Sequence, residues 1–168
     1  DRARRLSTDV PAAAPPAALP RRLAAELLGT ALLVAAVVGS GIMAQRLSPD
    51  DVGLQLLENA AATVGALIAL ILALGPVSGA HFNPVVSMVT RLFGGLSTRD
   101  TILYSLVQIA GGCIGAMIAN VMFELDVVNL STKDRSSGAL WFSEVIATIG
   151  LVLIIFCIVR SGRASAVP

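Results

Sequence analysis

The stretch Gly75-Pro-Val-Ser-Gly-Ala-His-Phe-Asn-Pro-Val-Val-Ser87 decides the fold of this chain. It contains no Asp, Glu, Lys or Arg and lies between two long apolar runs, whereas a loop in water would be polar. Irregular backbone at membrane depth is tolerated only where it is buried in protein or lines a water-filled cavity. The stretch is therefore predicted to fold back into a membrane.

The composition favours a membrane protein over a soluble one. Charged residues make up 14% of the chain and hydrophobic residues 55%, whereas a soluble domain carries about 25% charged residues. A helix that spans a bilayer needs about 20 mostly apolar residues. The sequence contains such runs at residues 23–44, 56–74, 102–123 and 140–159. We therefore predict an all-α membrane protein with four transmembrane helices and one re-entrant half-helix.

The re-entrant segment, residues 75–93, has its own start and stop signals. Gly75, Pro76 and Gly79 are predicted to end the second span. Asn is a favoured N-cap, and Pro fits the first helical position because its missing N–H is not needed there. Asn83 and Pro84 thus predict a short helix to about residue 93, with the positive end of its dipole inside the membrane. A line of main-chain acceptors is predicted to lead to it, from Gly79, Ala80 and His81.

Basic residues set the predicted orientation, because cytoplasmic flanks of membrane spans are rich in Lys and Arg. With a cytoplasmic N-terminus, the inner flanks hold Arg2, Arg4, Arg5, Arg21, Arg22, Arg91, Arg99, Arg160 and Arg163, and the outer flanks hold Arg46, Lys133 and Arg135. Both termini are therefore predicted to be cytoplasmic, in a plasma (inner) membrane. Residues 1–20, rich in Pro, Ala and Arg, are predicted to be a disordered arm, followed by a membrane domain at 21–168.

Small residues recur every four positions on two of the spans. They are Ala61, Gly65, Ala69 and Ala73 on the second span, and Gly111, Gly115 and Ala119 on the third. Such spacing lets helix backbones approach closely in a membrane, although membrane helices also use small residues generally. The two cysteines, Cys113 and Cys157, lie in apolar runs, which favours buried small hydrophobic residues over a disulfide or metal pair.

The string Ser78-Gly-Ala-His-Phe-Asn-Pro-Val85 resembles the first signature of the major intrinsic protein family, the aquaporins and aquaglyceroporins. Ala25-Glu-Leu-Leu-Gly-Thr30 resembles the family's opening pattern, and the third span is similar in Tyr104, Gln108 and the Gly111-Gly112 pair. The resemblance covers about residues 20–160 and implies a right-handed helix bundle. Where the family usually has Asn-Pro-Ala, this chain has Asn-Pro-Val, and Val85 implies altered packing at the midplane with the fold retained.

Residues 143–152 repeat residues 25–34, with Glu, Thr, Leu and Val at the same offsets. The fourth span is therefore a second copy of the first, as in the internal repeats of many transport proteins. The resemblance implies one complete repeat followed by only the first helix of the second. A truncated aquaporin-like bundle is expected, whose second half-helix and outer-mouth Arg belong to a longer chain.

The resemblance also implies pore positions. In the family, an Asn at the half-helix donates to the permeating molecule, and a residue twenty positions earlier lines an outer constriction. Here that residue is Thr63, whose small size implies passage of glycerol-sized solutes or metalloid hydroxides. The pore residues predicted in this way are Asn83, Pro84, Val85, Gly79, Ala80, His81 and Thr63.

Three side chains have two interpretations each. Acidic residues inside a membrane are functional by default, so Glu26 and Glu144 could form a proton relay. The resemblance instead implies that each carboxylate accepts hydrogen bonds from the backbone of a re-entrant loop. His81 is either a titrating group that faces the pore or a buried hydrogen-bonding prop.

Three functions remain open from the sequence. A passive channel for water or small neutral solutes is favoured, and the resemblance implies a homotetramer in the lipid bilayer. The alternatives are a non-conducting membrane fragment and a proton-coupled secondary transporter. The net charge of +1 gives no reason to expect nucleic acid as a partner. Without a Cys/His cluster or a phosphate-binding glycine loop, no enzyme, metal or cofactor is predicted.

Overall fold

The computed structural model describes residues 17–132, 134 and 136–161. Within these residues the chain forms only helices, as predicted: α1 (Leu19–Leu47), α2 (Val52–Ser78), α3 (Pro84–Leu92), α4 (Thr98–Met122) and α5 (Gly138–Arg160). Four of them are long and apolar enough to cross a membrane, and α3 is the short re-entrant helix. The predicted arm at 1–16 and the tail at 162–168 lie outside the described residues, as do Lys133 and Arg135.

The long helices extend beyond the apolar runs that predict them. The first helix begins at Leu19, so Leu19 and Pro20 are helical and do not belong to the arm. Proline is tolerated in this first turn because its N–H would have no intrahelical partner there. The second begins at Val52, where the Asp51 carboxylate caps the helix by accepting from the N–H of Leu54 at 2.9 Å.

The end of α2 differs from the prediction. The helix runs through Gly75 and Pro76 to Ser78, and Gly79 terminates it in the left-handed conformation at φ 90°. A C-terminal glycine adopts this conformation without a Cβ penalty, and its N–H bonds the carbonyl of Gly75 at 2.9 Å. Pro76 removes one helical N–H, and the helix continues for two residues beyond it.

The close approach of α1 and α4 confirms the packing predicted for the small-residue face of α4. A Cβ on Gly111 would lie 2.5 Å from the carbonyl oxygen of Leu27, and one on Gly115 would overlap that of Ala31. Ala119, one turn further, is fully buried. Only glycine lets the two backbones come this close, so α4 is held against α1 along its length.

The corresponding face of α2 meets no other helix within the described residues. Its four small residues are exposed, and a Cβ on Gly65 would have no neighbour within 4 Å. The helix packs on α1 through a different face, where the side-chain amide of Asn59 donates to the carbonyl of Val37 at 2.8 Å and to the hydroxyl of Ser40 at 3.0 Å. The sequence pattern therefore identified a small-residue face on which no helix of the described part of the chain packs.

The last helix, α5, lies at the edge of the bundle and buries none of its residues. Its ring contact is with α3, where Phe93 and Phe156 pack with centroids 4.9 Å apart. Cys157 on this helix and Cys113 on α4 are free and exposed. The prediction that both are buried is thus wrong, because each lies on an apolar face that no other described helix covers.

Candidate functional site

The half-helix α3 begins as the sequence predicts. Asn83 is its N-cap, with extended backbone at φ −150° and ψ 125°, and Pro84 occupies the first turn. The Oδ1 atom of Asn83 accepts from the N–H of Val85 at 2.8 Å. That bond fixes the carboxamide and turns its NH₂ group away from the helix. No described residue accepts from Nδ2, so this NH₂ group can donate to a molecule beside it.

The segment between α2 and α3 has a strained backbone. Gly79, Ala80 and Phe82 all have positive φ, at 90°, 49° and 47°. For the two residues with a Cβ, this left-handed conformation costs about 1–2 kcal/mol each. Such strain persists only where the surrounding structure over-determines it. The side chains that hold the segment are therefore part of the site.

The main anchor of the segment is Glu26 on α1, which is completely buried. Its Oε1 accepts from the Ser78 hydroxyl at 2.6 Å and from the N–H of His81 at 3.0 Å. Its Oε2 accepts from the N–H of Phe82 at 2.8 Å and from the side-chain amide of Gln108 at 2.9 Å. Four donors thus occupy the carboxylate, and two of them are main-chain groups of the re-entrant segment.

A second group of side chains joins α3 to α4. The Gln108 amide donates to the hydroxyl of Ser87 at 3.1 Å, and the same hydroxyl lies 3.0 Å from Nδ1 of His81. Ser87 is fully buried and also donates to the carbonyl of Asn83 at 3.3 Å. Ser87 was missed by the sequence reasoning, although it lies one helical turn after Asn83 on the covered side of α3.

A third anchor lies at the end of α2. Tyr104 on α4 is fully buried, and its hydroxyl donates to the carbonyl of Ser78 at 2.9 Å. The same hydroxyl accepts from Nε of Arg22 at 2.9 Å, and Arg22 forms an ion pair with Asp100 at 3.1 Å. The Tyr104 ring also meets the His81 ring edge-on, with centroids 5.5 Å apart.

The other side of the re-entrant segment faces a cavity of about 520 Å³. Four of the predicted pore residues line it, namely Gly79, Ala80, His81 and Asn83. The rest of the wall is mainly apolar and comes from α1, α2, α3 and α5, including Leu33, Leu67, Val86 and Ile154. A wall of this kind, with a few polar groups from one segment, is typical of a path for small molecules.

The remaining predicted residues lie outside the cavity wall. Thr63 is half-buried one turn before Leu67 on α2, and its hydroxyl donates to the carbonyl of Asn59 at 2.8 Å. Val85 is 39% exposed beside the half-helix start, next to Pro84. Glu144 is exposed on α5, so it does not have the buried position of Glu26. Among the described residues, no His, Cys, Asp or Glu cluster could hold a metal ion.

Comparison with known proteins identifies relatives of this chain. It is 50% identical over 150 residues to the aquaglyceroporin AqpS of Rhizobium meliloti (strain 1021), an alignment that covers 89% of this chain and 64% of that protein. It is 43% identical over 97 residues to Aquaporin-8 of Notomys alexis, covering 58% of this chain and 35% of that protein. It is 31% identical over 129 residues to the probable aquaporin NIP7-1 of Arabidopsis thaliana, covering 76% and 46%.

The chain therefore spans less than two thirds of the length of these relatives. The family model described as major intrinsic protein matches residues 16–167, nearly the whole chain. With four apolar helices of spanning length, the chain is an integral membrane protein. It belongs to the major intrinsic protein family.

Proposed function

We propose that the complete protein is a passive transmembrane channel for water and small neutral solutes, and that this chain supplies one of its half-helices. The observation that carries the proposal is the geometry of Asn83. The Asn83 Oδ1 accepts the N–H of Val85, and its NH₂ group has no acceptor among the described residues. Asn83 also lines the cavity. A donor held in this way can bind a passing oxygen atom without reorganising.

The half-helix adds a fixed electrostatic field to that donor. Its N-terminus carries partial positive charge from its unpaired N–H groups, and this end starts at the cavity wall. Positive dipole ends in a narrow pore repel cations and orient neutral polar molecules. The carbonyls of Gly79, Ala80 and His81 provide the complementary acceptors along the segment. Pro84 fixes the first turn of the half-helix, and Val85 packs against the half-helix of the second repeat.

A passive mechanism agrees better with Glu26 than a proton relay does. A carboxylate has about four lone-pair positions, and the donors from Ser78, His81, Phe82 and Gln108 occupy them all. A relay needs a position that takes up and releases a proton, and Glu26 has no exposed surface for the exchange. Its role is to hold the re-entrant segment, and Glu144 plays the same part in the second repeat.

The same bonds favour a supporting role for the side chain of His81. Its Nδ1 is within 3.0 Å of the Ser87 hydroxyl, and its ring packs on Tyr104. The imidazole therefore ties the segment to α3 and α4, while the main chain of His81 contributes to the path.

The solutes include molecules as large as glycerol or metalloid hydroxides. Thr63 lies one turn from the cavity-lining Leu67, and its hydroxyl hydrogen is already donated to Asn59. It thus offers a small side chain and an oxygen acceptor, suited to a solute that carries hydroxyl donors. The name of the relative at 50% identity, an aquaglyceroporin, supports the same solute class.

The protein resides in a plasma (inner) membrane with both termini cytoplasmic, because the basic residues flank the spans on that side. It assembles as a homotetramer, the arrangement implied by its family. The exposed small-residue face of α2 is compatible with helix contacts in such an assembly.

Stopped-flow light scattering on proteoliposomes tests the proposal. The complete protein should raise glycerol and water permeability above that of empty liposomes, with no dependence on an imposed proton gradient. Asn83→Asp keeps the helix cap and removes the donor, so it is the matched negative control. Flux that requires a proton gradient would favour the transporter, and a complete protein that gives no flux would contradict the channel proposal.

A further inference from the structure

A chain of polar contacts joins the ends of α1 and α4 to the last residue of α2. It consists of Arg22, Asp100 and Tyr104, termed here the α1–α4 latch, and it ends on the carbonyl of Ser78. We propose that the latch positions the re-entrant segment, so that it sets the permeability of the path as well as the stability of the bundle. The inference rests on the proposed channel function.

The latch binds a carbonyl at the end of a helix. The last carbonyls of a helix have no intrahelical partner and need another donor. At the end of α2, the Gly75 carbonyl receives the N–H of Gly79, and the Ser78 carbonyl receives the Tyr104 hydroxyl. Tyr104 therefore caps α2 from a different helix, at the residue where the strained backbone begins.

Arg22 and Asp100 fix the orientation of the Tyr104 hydroxyl. Arg22 donates to it through Nε and to Asp100 through a terminal nitrogen at 3.1 Å. Asp100 is in turn placed by the start of α4, where the Ser97 hydroxyl accepts its main-chain N–H at 3.0 Å. An arginine held by two partners has a defined orientation. The hydroxyl hydrogen of Tyr104 is consequently directed at Ser78.

Tyr104 also contacts the segment beyond Ala80. The Tyr104 ring packs edge-on against His81, which lines the cavity. One buried side chain thus contacts the residue before Gly79 and the residue after Ala80. Gly79 and Ala80 lie between them, and both have positive φ, which strains the residue with a Cβ, Ala80. A shift of Tyr104 would act on both ends of the turn, the same two residues that Glu26 binds through the Ser78 hydroxyl and the His81 N–H.

A second arginine on α1 serves as an internal control. Arg46, in the last turn of α1, donates to the carbonyl of Phe123 at the end of α4 and lies over its ring, 5.3 Å from the centroid. Arg22 has the equivalent relation to Tyr104, at 5.2 Å. Both arginines join α1 to α4. Of the two, only Arg22 is connected to the re-entrant segment, through the Tyr104 hydroxyl.

The experiment compares variants of the complete protein in proteoliposomes. Tyr104→Phe removes the hydroxyl and keeps the ring, Arg22→Met breaks the ion pair, and Arg46→Met is the matched control. Glycerol and water permeability are measured per folded channel. Hydrogen exchange of the N–H groups of residues 79–82 is followed by mass spectrometry. The paired replacement of Arg22 by Asp and Asp100 by Arg tests rescue.

Tyr104→Phe and Arg22→Met should lower the permeability per channel by about tenfold, the factor for one lost hydrogen bond to a charged or ordered partner. Exchange in residues 79–82 should accelerate by a similar factor, and the charge-exchanged pair should recover part of both. Arg46→Met should lower thermal stability only. If the Tyr104 variant does not fold, Arg22→Met and the charge-exchanged pair give the same comparison.

Two results would overturn the inference. One is unchanged exchange in residues 79–82 in the latch variants, and the other is an equal effect of Arg22→Met and Arg46→Met on permeability. Failure of the channel proposal is distinguishable, since an unmodified protein without flux still reports latch function through its exchange rates.

Discussion

The carboxylate of Glu26 accepts the main-chain N–H of Phe82 at 2.8 Å, across 56 positions of sequence. Both groups are buried, so the bond forms away from water. It links the N-terminal third of α1 to a residue with φ 47°, a conformation that a Phe rarely adopts. This single contact shows how the chain keeps an irregular segment inside an apolar bundle.

Glu26→Gln tests this anchor. Glutamine keeps one acceptor oxygen, but its NH₂ group replaces an oxygen that accepts two hydrogen bonds, so up to two bonds to the carboxylate are lost. We expect the free energy of unfolding to fall by about 3 kcal/mol, since each hydrogen bond to a charged group contributes about 1.5–3 kcal/mol. The change is measured as a loss of folded protein and of melting temperature in detergent.

The matched control for that substitution is Glu124→Gln, which changes an exposed carboxylate at the end of α4. Equal stability of the two variants would contradict the anchoring role of Glu26. A Glu26 variant that is fully folded but conducts with altered proton dependence would instead revive the relay.

The sequence predicted the half-helix well because its signals are local. Asn83 and Pro84 are adjacent, and each has an intrinsic reason to start a helix. The end of α2 was predicted too early, because Pro76 and Gly79 are both breakers and local propensity does not say which one ends the helix. The helix ends at Gly79, which adopts the left-handed conformation, and the hydroxyl of the distant Tyr104 binds the carbonyl of the preceding residue, Ser78.

Contacts between distant residues were harder to predict. Gln108 and Tyr104 were recognised only through the family resemblance, and Ser87 and Arg22 were not identified as part of the site. Their partners are brought together by the approach of α1 and α4, which no short pattern encodes. The exposed small residues of α2 are the opposite case. Their spacing predicts close helix packing, but no helix within the described residues packs on them.

Gly115→Ala should separate α1 from α4. The added Cβ would overlap the carbonyl oxygen of Ala31, which is backbone and cannot move aside without shifting the helix. Overpacking of this kind costs about 1–3 kcal/mol, so we expect a lower melting temperature. Gly112→Ala is the control on the same helix, because its Cβ would lie 3.9 Å from Val34, an ordinary contact. Similar melting temperatures for both variants would exclude close packing at Gly115.

Thr63→Phe should change selectivity without changing the fold. Thr63 is half-buried, and among the described residues its side chain bonds only the main chain of its own helix, at Asn59. A phenyl ring at this position would narrow the path, so glycerol permeability should fall by more than about tenfold while water permeability is retained. Thr63→Ser, which keeps the acceptor oxygen, is the control. A proportional loss of both permeabilities would mean that Thr63 does not line the constriction.

Asn83→Asp separates the two roles of the N-cap residue. Aspartate can still accept from the N–H of Val85, so α3 and the thermal stability should be preserved. It cannot donate to a solute, and it places a negative charge at the positive end of the half-helix, so neutral-solute permeability should fall by about tenfold and cation leak should rise. Both are measured in proteoliposomes, with Asn120→Asp as the control because the Asn120 amide bonds Val127, away from the cavity. Unchanged glycerol flux in Asn83→Asp would show that the Asn83 donor does not contact the solute.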